Sequence, residues 1–261
     1  MKRAFSLIAS LLVAACASVA PDVPPAAKAE LAPTGSLRVA LLAPNPLLVT
    51  QNTQPGVVRG MAVEIANRLA SRLGVPMTPV LYTSIAPLLE SAGRGEWDIT
   101  FLPIDPERAA VMNFTAAYMY SESTFLVPGR SAAQGIADVD QTGKTIVAVA
   151  RSTQEGWLRA NLRSATLIAA SSPAAAQQMF REEKVDAYAS EASLLAGFSR
   201  QIPGSRLLPG SFRSSPYALA VVKVRPSADA FASDFIDELK ASGAIQESIE
   251  REKLPGVRAA K

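Results

Sequence analysis

Short apolar runs and amphipathic segments alternate along the chain from residue 37 onward. Continuous apolar runs predict buried strands, and segments with apolar residues at every third or fourth position predict helices. In a first unit, strands are predicted at 37–43, 77–82 and 97–102, and helices at 60–74, 85–95 and 106–112. In a second unit, strands are predicted at 143–150, 165–170 and 185–190, and helices at 152–162, 172–184 and 191–201.

The order of these elements predicts an α/β fold. Alternating helices and continuous apolar strands indicate a mainly parallel sheet with helices on both faces. Two units of similar size predict two lobes, and a strand at 217–223 and a helical end at 226–252 follow them. Ligands of open α/β sheets bind at the carboxyl ends of the strands, so we expect a site in the cleft between the lobes.

The composition excludes several kinds of chemistry. The chain has 261 residues, no histidine and one cysteine, which excludes a catalytic histidine, a histidine-based metal site and an internal disulfide. The formal net charge is +3, and without Lys2 and Arg3 it is +3 − 2 = +1. Since no basic block remains, we expect no nucleic-acid partner, and we also expect no cofactor and no metal.

The first residues have the pattern of an export signal. Two basic residues precede an apolar run at 4–14, which is too short to span a membrane as a helix. The sequence VAAC ending at Cys16 is similar to a bacterial lipobox, which predicts removal of residues 1–15 and lipid attachment to Cys16. The alternative is an ordinary signal cleaved after Ala20, but a proline would then follow the cut directly.

The segment behind the cysteine is predicted to be a tether. Residues 16–35 are rich in Ala and Pro and show no apolar periodicity. Such a composition is typical of an extended linker. We therefore expect the folded part to begin near residue 36.

The sequence DPER at 105–108 predicts a helix start with an unusual charge. Asp105 is a capping residue, Pro106 suits the first helical position, and Glu107 is an acid in the first turn. Arg108 then lies where the helix dipole is positive, which is unfavourable unless an anion compensates it. That anion is either a neighbouring acid, which makes Arg108 a surface residue, or a ligand carboxylate held by Arg108 and the helix start.

The second unit has a similar helix start and a further acid. Ser152 and Glu155 form a capping box, which explains both residues without a ligand. The same helix start follows a strand, so Thr153 can instead offer a hydroxyl and a backbone N–H to an anion. Glu191 follows the strand at 185–190 and is either a first-turn acid of the next helix or the partner of a ligand ammonium group.

Several stretches, in order, resemble the extracellular solute-binding proteins of family 3, the polar amino-acid-binding proteins of ABC importers. No single motif is specific, but the series covers most of the chain, from about residue 37 to 257. The stretches are LRVA at 37–40, GMAVEI at 60–65, GEWD at 95–98, DPER at 105–108, FTAAY at 114–118, RSTQE at 151–155 and SGA at 242–244.

The resemblance implies a two-lobed periplasmic binding protein fold of type II. Lobe 1 is expected to comprise residues 36–120 and 217–261, and lobe 2 residues 121–216. The position of Arg108 implies that it holds the ligand α-carboxylate, with Thr153 and the adjacent Ser152 as further contacts. Glu191, five residues after Asp186, takes the place of the acid that binds the α-amino group.

The chain also departs from the family pattern. The spacing between Asp98 and Arg108 is shorter than usual, so the apolar segment before Arg108, with Leu102 and Ile104, replaces the hydroxyl residues of the first lobe. The two aromatic residues that enclose the ligand side chain are replaced by Leu47 or Leu48 and by Ile85. We therefore expect a carboxylate site that is more apolar than a site for cationic amino acids, and a ligand without a charged side chain.

These observations favour a binding protein rather than an enzyme. The expected protein is a monomeric, lipid-anchored periplasmic receptor that captures an amino acid or organic acid and delivers it to an ABC permease of the inner membrane. One alternative is an enzyme on the same fold, similar to periplasmic cyclohexadienyl dehydratases, with Glu191 in acid–base work. Another is a sensory or accessory lipoprotein that binds a partner.

Overall fold

The computed structural model describes residues 23–43, 45, 47–51 and 58–261. Its helices are α1 Pro25–Leu31, α2 Met61–Leu73, α3 Ile85–Ser91, α4 Pro106–Ala109, α5 Thr153–Asn161, α6 Pro173–Arg181, α7 Ala192–Ser199, α8 Pro226–Ala241 and α9 Ala244–Glu252, with a 3-10 turn at Ile136–Asp138. Its strands are β1 Leu37–Leu42, β2 Thr50–Gln51, β3 Val58–Arg59, β4 Met77–Tyr82, β5 Ile99–Pro103, β6 Met112–Phe114, β7 Met119–Val127, β8 Thr145–Val149, β9 Thr166–Ala170, β10 Ala187–Glu191, β11 Arg206–Leu207, β12 Arg213–Val222 and β13 Val257–Ala259. Within these ranges, no helix is long and apolar enough to cross a membrane.

One continuous sheet runs through both lobes, in the strand order β4-β1-β5-β12-β7-β10-β8-β9. The strands β4, β1 and β5 pair in parallel and form the sheet of lobe 1. The strands β10, β8 and β9 also pair in parallel and form the sheet of lobe 2. Between them, β12 and β7 pair antiparallel with each other and with their outer neighbours. The predicted parallel units are therefore present, and two long antiparallel strands join them.

The sheet of lobe 1 is buried on both faces. All residues of β5 are buried, as expected for a continuous apolar strand with helices on both sides. Phe101 packs with α2 and α8 on one face, and Leu102 packs with α3 on the other. The strand therefore ends inside the lobe with both of its faces fixed, directly before the helix that carries Arg108.

Lobe 2 is built in the same way. In β8, Ile146 and Ala148 belong to one apolar cluster and Val147 belongs to the cluster on the opposite face. The strand β10 alternates likewise, with Ala187 and Ala189 on the first face. Since side chains of a strand alternate between faces, each short apolar run fills two cores at once. The carboxyl ends of β8 and β10 lead directly into α5 and α7.

The sequence pattern did not predict most of β7 and β12, the two crossing strands that join the lobes. The strand β7 was not predicted, and β12 begins at Arg213, upstream of the predicted start at residue 217. Small polar side chains hide the apolar alternation at the crossing, because Ser121, Ser123 and Ser215 are fully buried. The predicted lobe boundaries at 120/121 and 216/217 fall inside these two strands and stay predictions.

The prediction of an extended tether at residues 16–35 is wrong for the part that forms the helix α1. Ala27 and Leu31 are fully buried in the core of lobe 1, one helical turn apart on the same side of α1. The side chain of Glu30 accepts a hydrogen bond from the Ala228 N–H at 2.8 Å, and its carbonyl accepts one from Arg225 at 2.9 Å. This segment is therefore part of the folded lobe. The predicted signal peptide and Cys16 lie outside the described residues.

Other observed boundaries differ from the predicted ones, because polar or left-handed residues end the elements earlier. The helix predicted at 106–112 stops at Ala109, and β6 follows it. The predicted helical end at 226–252 is divided into α8 and α9 by Gly243, whose φ of +78° is left-handed. The short strand β13 was not predicted; it pairs antiparallel with β7.

Candidate functional site

A cavity of about 90 Å³ lies between the lobes. Lobe 1 lines it at the carboxyl ends of β1 and β5 and at the start of α3. Lobe 2 lines it at the carboxyl ends of β8 and β10 and at the start of α5. This is the position that the rule for open α/β sheets predicts. It places the predicted site in the cleft of the structure.

Arg108 lies in this cavity with only 3% of its surface exposed. The Asp105 side chain caps α4 by accepting from the Glu107 N–H at 3.0 Å. The Arg108 guanidinium donates to two carbonyls, of Pro103 at 3.1 Å and of Arg151 at 3.3 Å. Among the described residues, no acid forms an ion pair with it within the 4.0 Å limit. The described residues therefore leave this buried cation without a paired acid.

The electrostatic surroundings of Arg108 also indicate a buried charge that its neighbours compensate only in part. Burial lowers the pKa of Arg108 from its ordinary value, while Tyr217, Asp105 and Glu191 act in the opposite direction. Arginine stays protonated in proteins, because its ordinary pKa is above 12. The desolvated charge is thus an unfavourable contribution that a ligand anion relieves.

The start of α5 faces Arg108 from lobe 2. The Ser152 side chain accepts from the Glu155 N–H at 3.1 Å, so it caps the helix as the sequence predicted. Thr153 is 4% exposed, and its hydroxyl lies 3.5 Å from the Ser215 hydroxyl. The first N–H groups of a helix have no partner within the helix. The start of α5 therefore offers neutral donors toward the cavity, and Ser152 is committed to the cap.

Glu191 forms the other charged group of the cavity and is 7% exposed. The Tyr217 hydroxyl donates to its Oε1 atom at 2.7 Å, and the Gln154 amide donates to the same atom at 3.2 Å. Glu191 is the N-cap residue of α7, but its side chain forms no capping hydrogen bond there. Burial and the Glu191 charge raise the pKa of Tyr217, so the phenol stays protonated as a donor.

Gln154 and Tyr217 were missed by the sequence analysis. The Gln154 amide also donates to the Ser123 hydroxyl at 2.9 Å, so Glu191 is tied to both crossing strands. Gln154 stands next to Thr153 in the sequence RSTQE, which was the one available signal. Tyr217 had none, because its contact depends on how β12 passes beside β7, which separates it from β10.

The apolar part of the wall contains three of the predicted residues. Leu48, Ile85 and Leu102 all line the cavity and are almost completely buried. Gly60 fixes the approach of Leu48, because a Cβ at Gly60 would lie 2.4 Å from the Leu48 carbonyl oxygen. Pro173 and Leu194 of lobe 2 belong to the wall but were not predicted.

Two expectations for lobe 1 are wrong. Ile104 is not among the residues that line the cavity, because β5 ends at Pro103 and the Ile104 N–H donates to the Pro216 carbonyl at 2.8 Å. The strand alternation that directs Leu102 therefore no longer applies to it. Lobe 1 also does not lack hydroxyls at the site, since Thr83 and Ser84 line the cavity.

Ion pairs join the lobes at the edge of the cavity. Arg151 of lobe 2 contacts the Glu107 carboxylate at 2.5 Å and the Glu90 carboxylate at 3.7 Å. Arg151 has a left-handed φ of +60°, which is unusual for a residue with a side chain. Glu107 therefore pairs across the cleft and leaves Arg108 without an acid from its own helix. In the part of the chain that the structure describes, no group of three acids or cysteines is arranged to hold a metal ion.

Two α/β lobes with a buried, oppositely charged pair of side chains between them define a two-lobed ligand-binding receptor. A family model matches residues 37–252, and the chain belongs to the bacterial extracellular solute-binding proteins, family 3. No curated protein sequence matches the chain.

Solved structures share the fold at low sequence identity. A mutant of ArgBP from T. maritima is similar with a TM-score of 0.76 and 23% identity, over 87% of this chain and 99% of that chain. The ancestral amino acid-binding protein AncCDT-1, described as a precursor of cyclohexadienyl dehydratase, is similar with a TM-score of 0.75 and 21% identity, over 86% and 97%. The substrate-binding protein AbpA of an amino acid ABC transporter from Streptococcus pneumoniae, bound to L-arginine, gives 0.75 and 23%, over 85% and 96%. The predicted two-lobed periplasmic binding protein fold is thereby confirmed.

Proposed function

We propose that this chain is an extracytoplasmic receptor that captures a free α-amino acid in the inter-lobe cavity and delivers it to an ABC permease. The observation that carries the proposal is the pair of buried charges, Arg108 and Glu191, in one cavity. Several structural neighbours are binding proteins for amino acids, and four are described with bound arginine or lysine.

Each charged group has a definite task in this proposal. The ligand carboxylate binds the Arg108 guanidinium and the donors at the start of α5, including Thr153. Charge-assisted hydrogen bonds of this kind are shorter and stronger than neutral ones. The ligand ammonium binds Glu191, whose Oε1 atom is already held by Tyr217 and Gln154. An amino acid satisfies both groups, whereas an organic acid leaves the Glu191 charge buried and unpaired.

The placement of these groups couples binding to closure. Arg108 belongs to lobe 1, whereas in lobe 2 Thr153 follows the strand β8 and Glu191 ends the strand β10. A ligand that contacts all three favours the closed arrangement, because it makes its full set of contacts only there. A permease is then able to distinguish the loaded receptor by its shape.

The test compares ligands that differ by one charged group. Calorimetric titration of the purified full chain should give binding of alanine, and much weaker binding of lactate and ethylamine. In the variant Glu191→Gln, alanine should bind roughly 10- to 100-fold more weakly, because an amide replaces the carboxylate that faces the ammonium. The preference over lactate should shrink with it. Equal binding of amino acids and their hydroxy-acid counterparts to the wild type contradicts the proposal.

Lipid attachment at Cys16 is part of the proposal, and so are the periplasmic location and the monomeric state. The supporting observation is the lipobox-like sequence that ends at Cys16. The variant Cys16→Ser should move the protein from the detergent-soluble membrane fraction to the periplasmic extract. Unchanged partition into the membrane fraction argues against the anchor.

A second candidate is an enzyme on the same fold. One structural neighbour is described as a precursor of cyclohexadienyl dehydratase, and Glu191 lies in a buried cavity next to the Tyr217 hydroxyl. A carboxylate placed in this way is able to move a proton. Incubation with prephenate or arogenate, followed by chromatography, separates the candidates. A receptor returns these compounds unchanged, and product above the uncatalysed background favours the enzyme.

A further inference from the structure

The charges that face the cavity restrict the side chain of the ligand. Arg108 and Glu191 are the charged side chains among the described residues that line it, and all other described lining residues are neutral. Under the proposed function, on which this inference rests, the ligand carboxylate and ammonium pair with these two groups. A third ligand charge would then be buried without a counter-ion, which costs several kcal/mol.

Much of the cavity wall is aliphatic. Leu48, Ile85 and Leu102 form the wall on lobe 1, and Val149 and Leu194 contribute on lobe 2. Ile85 and Leu102 pack in one core cluster, which fixes their positions. The rings of Tyr188 and Tyr217 also line the cavity, and the Tyr217 hydroxyl already donates to Glu191. The walls therefore favour an apolar or weakly polar group.

The volume of the cavity restricts size as well. The cavity measures about 90 Å³. Pockets for drug-sized ligands measure about 300–1,000 Å³, so this cavity favours a small ligand. The hydroxyls of Thr83, Ser84 and Ser190 in the lining tolerate a small polar atom at the end.

We propose that the ligand is a small α-amino acid with a short, uncharged side chain. The receptor then rejects lysine, arginine and glutamate for two reasons. Their charge finds no partner in the described lining, and their side chains are long for a cavity of about 90 Å³.

The experiment uses amino acids of equal size and different charge. Calorimetric titration of the purified full chain compares norvaline with 2,4-diaminobutyrate, and leucine and asparagine with aspartate. Within each set the side chains have the same number of non-hydrogen atoms. The charged member should bind at least about 100-fold more weakly, which corresponds to about 2.7 kcal/mol. Phenylalanine in the same series tests the size limit and should show no binding at concentrations that saturate norvaline.

The outcomes separate this inference from the proposed function. Binding of aspartate or 2,4-diaminobutyrate within tenfold of the neutral counterpart overturns the inference while the receptor for amino acids stands. Binding of phenylalanine as tight as that of norvaline overturns the size limit. Binding of hydroxy acids without any α-amino acid, or no binding in the whole series, overturns the proposed function itself.

Discussion

The helix starts of α4 and α5 face the same cavity from opposite lobes, and they contribute different chemical groups to it. Each follows a buried strand and has a capping side chain, Asp105 in α4 and Ser152 in α5. The helix α4 is a single turn of four residues, and it places the cation Arg108 at the site. The helix α5 has nine residues and contributes a hydroxyl and backbone N–H groups.

The difference shows how charge and geometry are divided between the lobes. A single helical turn has few aligned peptide dipoles, so lobe 1 must supply positive charge through a side chain. A longer helix already carries partial positive charge at its start, and neutral donors suffice there. A second cation in lobe 2 facing the cavity would repel Arg108. For the ligand carboxylate, we therefore expect α4 of lobe 1 to supply most of the binding energy and α5 of lobe 2 the geometry, while the charge of Glu191 in lobe 2 acts on the ammonium group.

The largest effect is expected for Arg108→Ala. Removal of one partner of a buried, hydrogen-bonded charge pair costs about 2–5 kcal/mol, so affinity should fall by roughly 30-fold to several thousand-fold. Calorimetric titration with the amino acid that binds the wild type measures the loss. The melting temperature should change by no more than about 4 °C, because the variant also removes a desolvated charge. The exposed Arg151→Ala is the matched control, and equal losses in both variants would argue against the buried arginine as the main anchor.

A smaller effect is expected for Thr153→Val. Valine keeps the branched shape and removes the hydroxyl, which contributes about 1 kcal/mol, or up to tenfold in affinity. The same titration measures it. The comparison between the lobes fails if this variant loses as much affinity as Arg108→Ala.

The cap variant Ser152→Ala tests whether Ser152 acts on the stability of the fold or on the affinity for the ligand. Loss of an N-cap side chain costs about 1 kcal/mol of stability, which thermal or denaturant unfolding should detect. Affinity should change less than in Thr153→Val, because the Ser152 hydroxyl is occupied by the Glu155 N–H. An affinity loss larger than that of Thr153→Val would place Ser152 among the ligand contacts instead.

The smallest effect is expected for Arg151→Ala. Its ion pairs with Glu107 and Glu90 join the lobes but are partly exposed, so they contribute about 0–1 kcal/mol and weaken with salt. Affinity should fall by a few-fold at low ionic strength and match the wild type at high salt. Titration at two salt concentrations checks this, and a loss that is independent of salt would point to the left-handed backbone rather than the ion pairs.

The helix starts were predictable because their signals are local. The sequence DPER contains the cap, the proline and the acid that define α4, and Ser152 with Glu155 defines α5. Continuous apolar strands predicted two parallel units correctly. The two units also predicted two lobes, and the family resemblance added the type II periplasmic binding protein fold.

The features that the sequence did not predict depend on contacts between distant parts of the chain. Tyr217 reaches Glu191 only because β12 crosses from one lobe to the other beside β7. The helix α1 lies in an Ala- and Pro-rich segment. Its two buried residues, Ala27 and Leu31, can be recognised as core residues only from the packing of α1 against α8. Ile104 was misplaced because the family comparison put the whole segment before Arg108 at the site, whereas β5 ends at Pro103 and the Ile104 N–H donates to the Pro216 carbonyl.

The docked helix α1 determines where a shortened recombinant version of this receptor can begin. A version cut at the end of the predicted tether would lose Leu31, whose burial contributes about 2 kcal/mol, and would expose the core that this leucine covers. It would also remove Glu30, which receives hydrogen bonds from Arg225 and Ala228. A version that keeps the chain from Val23 onward retains this cover and is the sounder choice for crystallisation or for attaching a fluorescent reporter.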